Sequence, residues 1–174
     1  MIDILRERRS IRNYQDKDIE PEKIEKLKEA AVRSPSSRNF NPWRFVFVND
    51  SGLIEKLAKA KEHGSDFLAG APLGVVVCGE EEKSDVWIED CSIASILLQL
   101  TAQSLDLGSC WIQIRNRDHS EEQSAEEYVR KQLEIPDKYR IESIISIGYP
   151  AERREGVPES ELEFNKIKEN LFTQ

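Results

Sequence analysis

Arg6, Arg8, Arg9 and Arg12 put four guanidinium groups into seven residues, with Ser10 among them and Glu7 the one acid of the stretch. A guanidinium is a planar fork of donors matched to phosphate oxygens, and a serine hydroxyl adds a neutral donor. Each charge-assisted bond contributes about 1.5–3 kcal/mol, so three of them would hold a phosphomonoester. The same spacing also fits a helix end whose cations complement the macrodipole, or a solvated basic face. A second group, Pro35-Ser36-Ser37-Arg38-Asn39-Phe40-Asn41-Pro42-Trp43, gathers hydroxyls, amides and an indole. It can hydrogen-bond a flat heterocycle with Trp43 packed beneath, or be a polar loop in which Trp43 anchors a strand entry. The third group, Gly108-Ser109-Cys110-Trp111-Ile112-Gln113, fits a buried strand or the lining of a site. The fourth, Gly148-Tyr149-Pro150-Ala151-Glu152-Arg153-Arg154, ends a strand with a glycine that admits close approach to the backbone and adds two arginines able to reach the same anion.

Other chemistries lack their residues. No GxGxxG occurs, and the GxxxxG match from Gly74 to Gly79 encloses an apolar strand and precedes Glu80 instead of Lys. There is no GxSxG elbow and no HExxH, and His63 and His119 stand in no nucleophile–base arrangement. Cys78, Cys91 and Cys110 form no CxxC, sit in apolar contexts and read as buried free thiols of a reducing compartment. No metal site is expected. With 25 Lys and Arg against 33 Asp and Glu, the net charge of −8 opposes binding to nucleic acid and leaves any anion site as a local basic island. No apolar run reaches the roughly 20 residues of a membrane span, and the amphipathic N-terminus does not resemble a signal peptide, so a cytoplasmic protein is expected.

The 174 residues, 39% hydrophobic, are one domain's worth of chain with enough apolar material for a core. Residues 2–9 form a short amphipathic helix, and Pro21 to Arg33 a second with Pro in its first turn. The loop Ser34 to Arg44 feeds a strand from Phe45 to Val48. Residues 51–61 resume a helical period, and Leu73 to Cys78 is an apolar run expected to be a central strand. Ile88 to Leu107 is the longest helix, apolar or small nearly all round, hence buried or in a subunit interface, with Gly108 as its cap. A strand from Ser109 to Arg115 follows. The next helix, Ser124 to Leu133, opens with Ser124 and Glu127 at capping-box spacing and stops at Pro136. Ile141 to Tyr149 is the last strand. Beyond Pro150, Phe164, Ile167, Leu171 and Phe172 could line one face of a terminal helix or arm.

In this order, RRSIR (Arg8 to Arg12), SPSSRNFNPWRF (Ser34 to Phe45), LGSCWI (Leu107 to Ile112) and LEIPDKYRIESIISIGYPAE (Leu133 to Glu152) resemble landmarks of the FMN-dependent nitroreductase family. The resemblance implies an α+β fold, with a mixed central sheet flanked by helices in a single domain over residues 1–174. It also implies a homodimer with FMN sites at the subunit interface and the segment from about residue 155 as an arm on the other subunit. Arg8, Arg9, Ser10 and Arg12 would bind the phosphate and ribityl end, with Arg153 or Arg154 closing on the phosphate. Pro35, Ser36, Ser37 and Asn39 would come from the other subunit, Trp111 and Ile112 would line the ring, and Gly148 and Tyr149 would lie near it. The implied activity is hydride transfer from NADH or NADPH through FMN to a nitroaromatic, quinone or related small acceptor. Specialised flavin chemistry, such as dehalogenation or flavin breakdown, and noncatalytic flavin sensing or carrying are the alternatives. Two features depart from the family pattern: Gln113 stands where many relatives have glycine, and the segment from Glu62 to Gly70 is short where larger members carry lid helices.

Overall fold

In the computed structural model, which describes residues 1–172, the apolar run becomes strand β2 (Leu73–Glu80) at the centre of the molecule. Its alternate residues serve two cores. Val75 and Val77 pack with Ile145, Ile147 and the inner faces of α2 (Pro21–Val32) and α4 (Trp87–Ser104). Val76 and Cys78 pack with Ile112, Ile141, Ile144, α3 (Ser51–Leu57) and α5 (Ala125–Leu133). The result is a three-layer α+β arrangement with helices on both faces of one sheet. Burial on both sides is why β2 shows no polar alternation.

The sheet order is β1 (Trp43–Val48), β2, β4 (Tyr139–Gly148), β3 (Gly108–Gln113). All three ladders are antiparallel, so the expected mixed sheet is corrected. The reason lies in the connections. The segments carrying α3 and α5 leave and re-enter the sheet at the same end, which makes β1–β2 and β3–β4 antiparallel neighbours. Only α4 crosses over: its 18 residues span about 27 Å and carry the chain back along the sheet. β2 and β3 therefore point the same way, but β4 lies between them. A lone parallel bridge, Ser10 to Ser109, is the remnant of mixed pairing.

The element types follow expectation, with shifted ends. The first helix, α1, stops at Glu7, α3 at Leu57 and α4 at Ser104, while the capping box at Ser124 and Glu127 forms in full. Gly108 does not cap α4. Asp106 takes the left-handed conformation there (φ 61°), and Gly108 opens β3 instead, where a Cβ would lie 2.8 Å from Ile11 Cβ. Opposite it in the ladder, a Cβ on Gly148 would lie 2.6 Å from Pro72 Cδ and 2.9 Å from the Tyr14 ring. The paired glycines let residues 10–14 lie flat on the sheet end. Gly148→Ala is expected to cost about 1–3 kcal/mol through overpacking, read as a fall in Tm of roughly 2–9 °C in a thermal melt.

The three cysteines are free and buried, and desolvation pushes the Cys78 thiol up to about 12, so it stays protonated and inert at neutral pH. His119 is half-buried: its ring stacks on Tyr128 at 3.9 Å and Nδ1 lies 2.8 Å from Lys59 O. Among the described residues past Gly148 there is no α-helix. This segment has 3-10 turns at Glu159–Glu161 and Phe164–Lys166, and leaves Leu162, Phe164, Ile167, Leu171 and Phe172 exposed.

Candidate functional site

The arginine segment is held by the two ends of the chain meeting. Ile11 N donates to Ser109 O (3.0 Å), Gln15 N to Tyr149 O (2.8 Å) and Ala151 N to Asn13 O (2.9 Å). Tyr14 is buried beneath, its hydroxyl donating to Ile11 O at 2.6 Å and lying 2.7 Å from Ser146 Oγ. Glu152 completes the clasp: Oε1 accepts from Arg12 N (2.9 Å) and Asn13 N (3.2 Å), and Oε2 accepts from Arg154 Nε (2.8 Å). The backbone bond from Arg12, with those from Arg154 and Asn13, holds its carboxyl below the usual carboxylate range.

Above this clasp lies a cleft of about 600 Å³ lined by Arg6, Arg8, Arg9, Ser10, Arg12 and Arg154, with Ile2, Leu5, Val157 and Leu162 as its apolar wall. Arg6 pairs with Asp3, Arg9 donates to Glu155 O and Arg154 pairs with Glu152. Among the described residues Arg8 and Arg12 have no carboxylate in ion-pair range; the Arg12 guanidinium lies 5.6 Å over the Phe67 ring. Two uncompensated cations beside Ser10 in one cleft make an anion site. Arg153 faces a neighbouring hollow of about 270 Å³ with Gln103 of α4 and Asp106 just beyond it, so Arg154 is the late arginine that joins the cleft.

β3 is an edge strand, and its outer side is open beyond the Ser10 bridge. Because Ser109 O points outward to Ile11 N, the strand period points the N–H and C=O of Trp111 and Gln113 outward as well. These are donors and acceptors for the rim of a planar ligand. Ile112 does not share that edge: its side chain is 1% exposed in the α3–α5 core, and its backbone faces β4. The Trp111 indole is half-buried against the α4 face, donating from Nε1 to Gln113 Oε1 at 2.9 Å. The Gln113 amide is thus engaged on both sides; its Nε2 donates to Arg115 O at 3.1 Å.

Gly148 and Tyr149 make close contacts within the chain. Tyr14 and Pro72 fill the space beside Gly148. The Tyr149 hydroxyl donates to Glu20 Oε2 and accepts from Lys23 Nζ at 3.0 Å, while Lys17 Nζ lies 3.6 Å over the ring. The Tyr149 bond pulls the Glu20 carboxyl down to about 2. A carboxyl depressed in the folded state adds stability above its unfolded pKa near 4.5, and that stability is lost as pH falls toward 2. Tyr149→Phe is therefore expected to flatten the loss of urea midpoint between pH 5 and 2 relative to wild type, with the larger difference between the two proteins at neutral pH.

The loop Pro35–Asn39 sits elsewhere. Ser37 N donates to Asp90 Oδ1 (2.8 Å) in the first turn of α4, Asn41 N donates to Ser36 Oγ (2.8 Å), and Arg38 pairs with Asp85. Arg38, Asn39 and Asn41 all have positive φ (51°, 56° and 50°), strain of the kind held at ligand-contacting loops. The hollow that shares Arg9 and Arg154 with the arginine cleft contains Gln103, at the opposite end of α4. Thirteen helical residues separate Asp90 from Gln103, about 20 Å, so one chain does not bring the loop and the cleft together. Between those ends α4 shows solvent an apolar stripe, Ile93 (40% exposed) and Ile96 (37%), beside half-buried Leu97 and Leu100. Among the described residues no helix is long and apolar enough to cross a membrane, and no cluster of three or more His, Cys, Asp or Glu could hold a metal.

Comparison with known proteins places the chain among relatives. The profile of the nitroreductase family matches residues 5–64 and 55–149. The solved structure of an FMN-dependent nitroreductase from Clostridium difficile R20291 is 44% identical, with a TM-score of 0.97 over 99% of this chain and 100% of that one. A protein of Archaeoglobus fulgidus, provisionally named an NADH dehydrogenase/NAD(P)H nitroreductase, is 36% identical over 85% of this chain and 84% of its own length. An iodotyrosine deiodinase of Thermotoga neapolitana is 23% identical over 93% and 95%.

Proposed function

Because the chain belongs to the nitroreductase family, we propose that it is an FMN-dependent oxidoreductase that moves hydride from NADH or NADPH to a nitroaromatic, quinone or related small acceptor. The observation that carries this reading is the pair of uncompensated guanidiniums, Arg8 and Arg12, in a cleft whose Ser10 bridges to Ser109 on the edge strand β3. A phosphate dianion meets its countercharge there, and a planar ring system meets outward N–H groups, so the donor set fits FMN at both ends.

In this reading Arg8, Arg12 and Ser10 hold the phosphate, Arg9 and Arg154 wall the cleft, and the N–H groups of Trp111 and Gln113 address the heterocycle rim. FMN supplies the redox chemistry, accepting and passing on hydride. The protein's part is to hold the ring with one face free, and to present preorganised N–H dipoles where negative charge develops, a contribution of several kcal/mol in comparable sites. Tyr14 and Glu152 fix the arginine backbone, so these donors need no reorganisation. The loop Pro35–Asn39 completes the site from a second copy of the chain. Two-fold assembly along the α4 stripe would bring that loop to the partner's cleft and give the exposed apolar arm a surface to cover. Such a homodimer in solution carries two equivalent sites.

The test is the visible spectrum of protein reconstituted with FMN and desalted, followed anaerobically by NADH and then NADPH. Retained yellow that either nicotinamide bleaches, and that a nitroaromatic or quinone restores, supports the reductase. Retained yellow inert to both nicotinamides but restored to turnover by a halogenated phenol after chemical reduction favours the specialised chemistry for which the deiodinase relative is named. Colourless protein refutes the flavin site.

A further inference from the structure

Glu142 lies one strand inside that open edge. β2 and β4 change register between Val77 and Cys78: Val77 opposes Ser143 and Cys78 opposes Ile141, which leaves Glu142 as the extra residue of a bulge. A bulge re-aims its side chain. The carboxyl here is 4% exposed, Oε1 lies 3.5 Å from Gln113 Nε2, and Oε2 is buried with no hydrogen-bond partner among the described residues. Gln113 ties it to the Trp111 indole.

A buried carboxyl with a bare oxygen is costly as an anion and tolerable as an acid. Arg115, in the turn after β3, and the Gln113 amide favour the anion. Burial, Glu126 on α5 and Glu89 on α4 oppose it, and the facing thiol of Cys91 on α4 is itself neutral. Burial prevails, and the Glu142 carboxyl titrates above the usual carboxylate range.

We propose that Glu142 is a proton-holding residue of this site, taking up one proton from solvent on Oε2 when negative charge enters the flavin along β3 and releasing it when that charge leaves. The inference rests on the flavin reading above. The balance is simple: the nicotinamide delivers a hydride, two electrons and one proton, so the bound ring gains one negative charge. One proton added to the Glu142 carboxylate cancels that charge, and it departs when the acceptor takes the hydride. Glu142 is two strand spacings from a ligand on that edge, about 10 Å. At an effective dielectric near 20, one new negative charge at that range raises its proton affinity roughly tenfold.

The experiment is an anaerobic potentiometric titration of the FMN holoprotein from pH 5 to 9, for wild type and Glu142→Gln. Over a window of about one pH unit the wild type is expected to bind about half a proton more per two electrons than the variant. A second measurement needs no variant: the reduced-minus-oxidised infrared difference spectrum of the wild type should gain a carboxylic-acid carbonyl band that shifts in D2O. Parallel potential curves, or no such band, would overturn this inference and leave the flavin site standing. A protein that retains no FMN removes both.

Discussion

Arg12→Ala is expected to weaken FMN binding by roughly 10- to 150-fold, and Arg8→Ala by a similar factor, in a titration that follows quenching of flavin fluorescence. Both guanidiniums lack a carboxylate partner, so their removal breaks no internal ion pair and the loss falls on the ligand. Lysine at either position keeps the charge but loses the planar fork, and should recover part of the affinity. Arg33→Ala, whose partner is Glu29 one helical turn away, serves as the control and should leave binding unchanged. Affinity that survives both substitutions would mean that the cleft holds some other anion.

The second large effect is recovery by mixing. A chain carrying Arg8→Ala and Arg12→Ala has a defective cleft, and a chain carrying Ser36→Ala and Asn39→Ala has a defective loop. Each alone should retain little FMN. If each site combines the cleft of one copy with the loop of the other, unfolding and refolding the two together gives mixed dimers with one intact site. Random pairing then restores about a quarter of the sites. Recovery reads directly in bound flavin per chain after desalting. Sites complete within one chain predict no recovery at any ratio, because each chain would keep its own defect.

Much of the architecture was legible because it depends on patterns that short stretches of chain display. The unbroken apolar run of β2, the amphipathic period of α2 and the Ser124–Glu127 box each state their own structure. The antiparallel sheet was not legible, since pairing depends on β4 inserting between β2 and β3, and no local pattern records that order. Gly108 misled for a related reason: the left-handed position after α4 went to Asp106, whose short polar side chain tolerates it. In the site, arginine spacing pointed to the cleft, but composition could not separate Arg153 from Arg154. Glu20 and Lys23 reach Tyr149 from more than 120 residues away, and nothing in its own stretch of sequence shows those partners. Glu142 carried one signal, an acid inside an apolar strand. The bulge that turns it toward Gln113 inserts a single residue, which alternation alone does not reveal.

The clasp that seats the arginines has a consequence for how the protein is made. Glu152 meets the backbone of Arg12 across 140 residues of sequence, among the most distant contacts in the chain. Closing so long a loop costs little more entropy than closing one half its length, so stability does not suffer. Order of events does. Contacts of this separation form late, and synthesis proceeds at about 5–20 residues per second from the N-terminus. Arg12 must wait while about 140 further residues are translated before Glu152 emerges from the ribosome and seats it. The arginine cleft is therefore completed only after Glu152 has been made, and a nascent chain halted before it has its core strands but no clasp to seat the arginines.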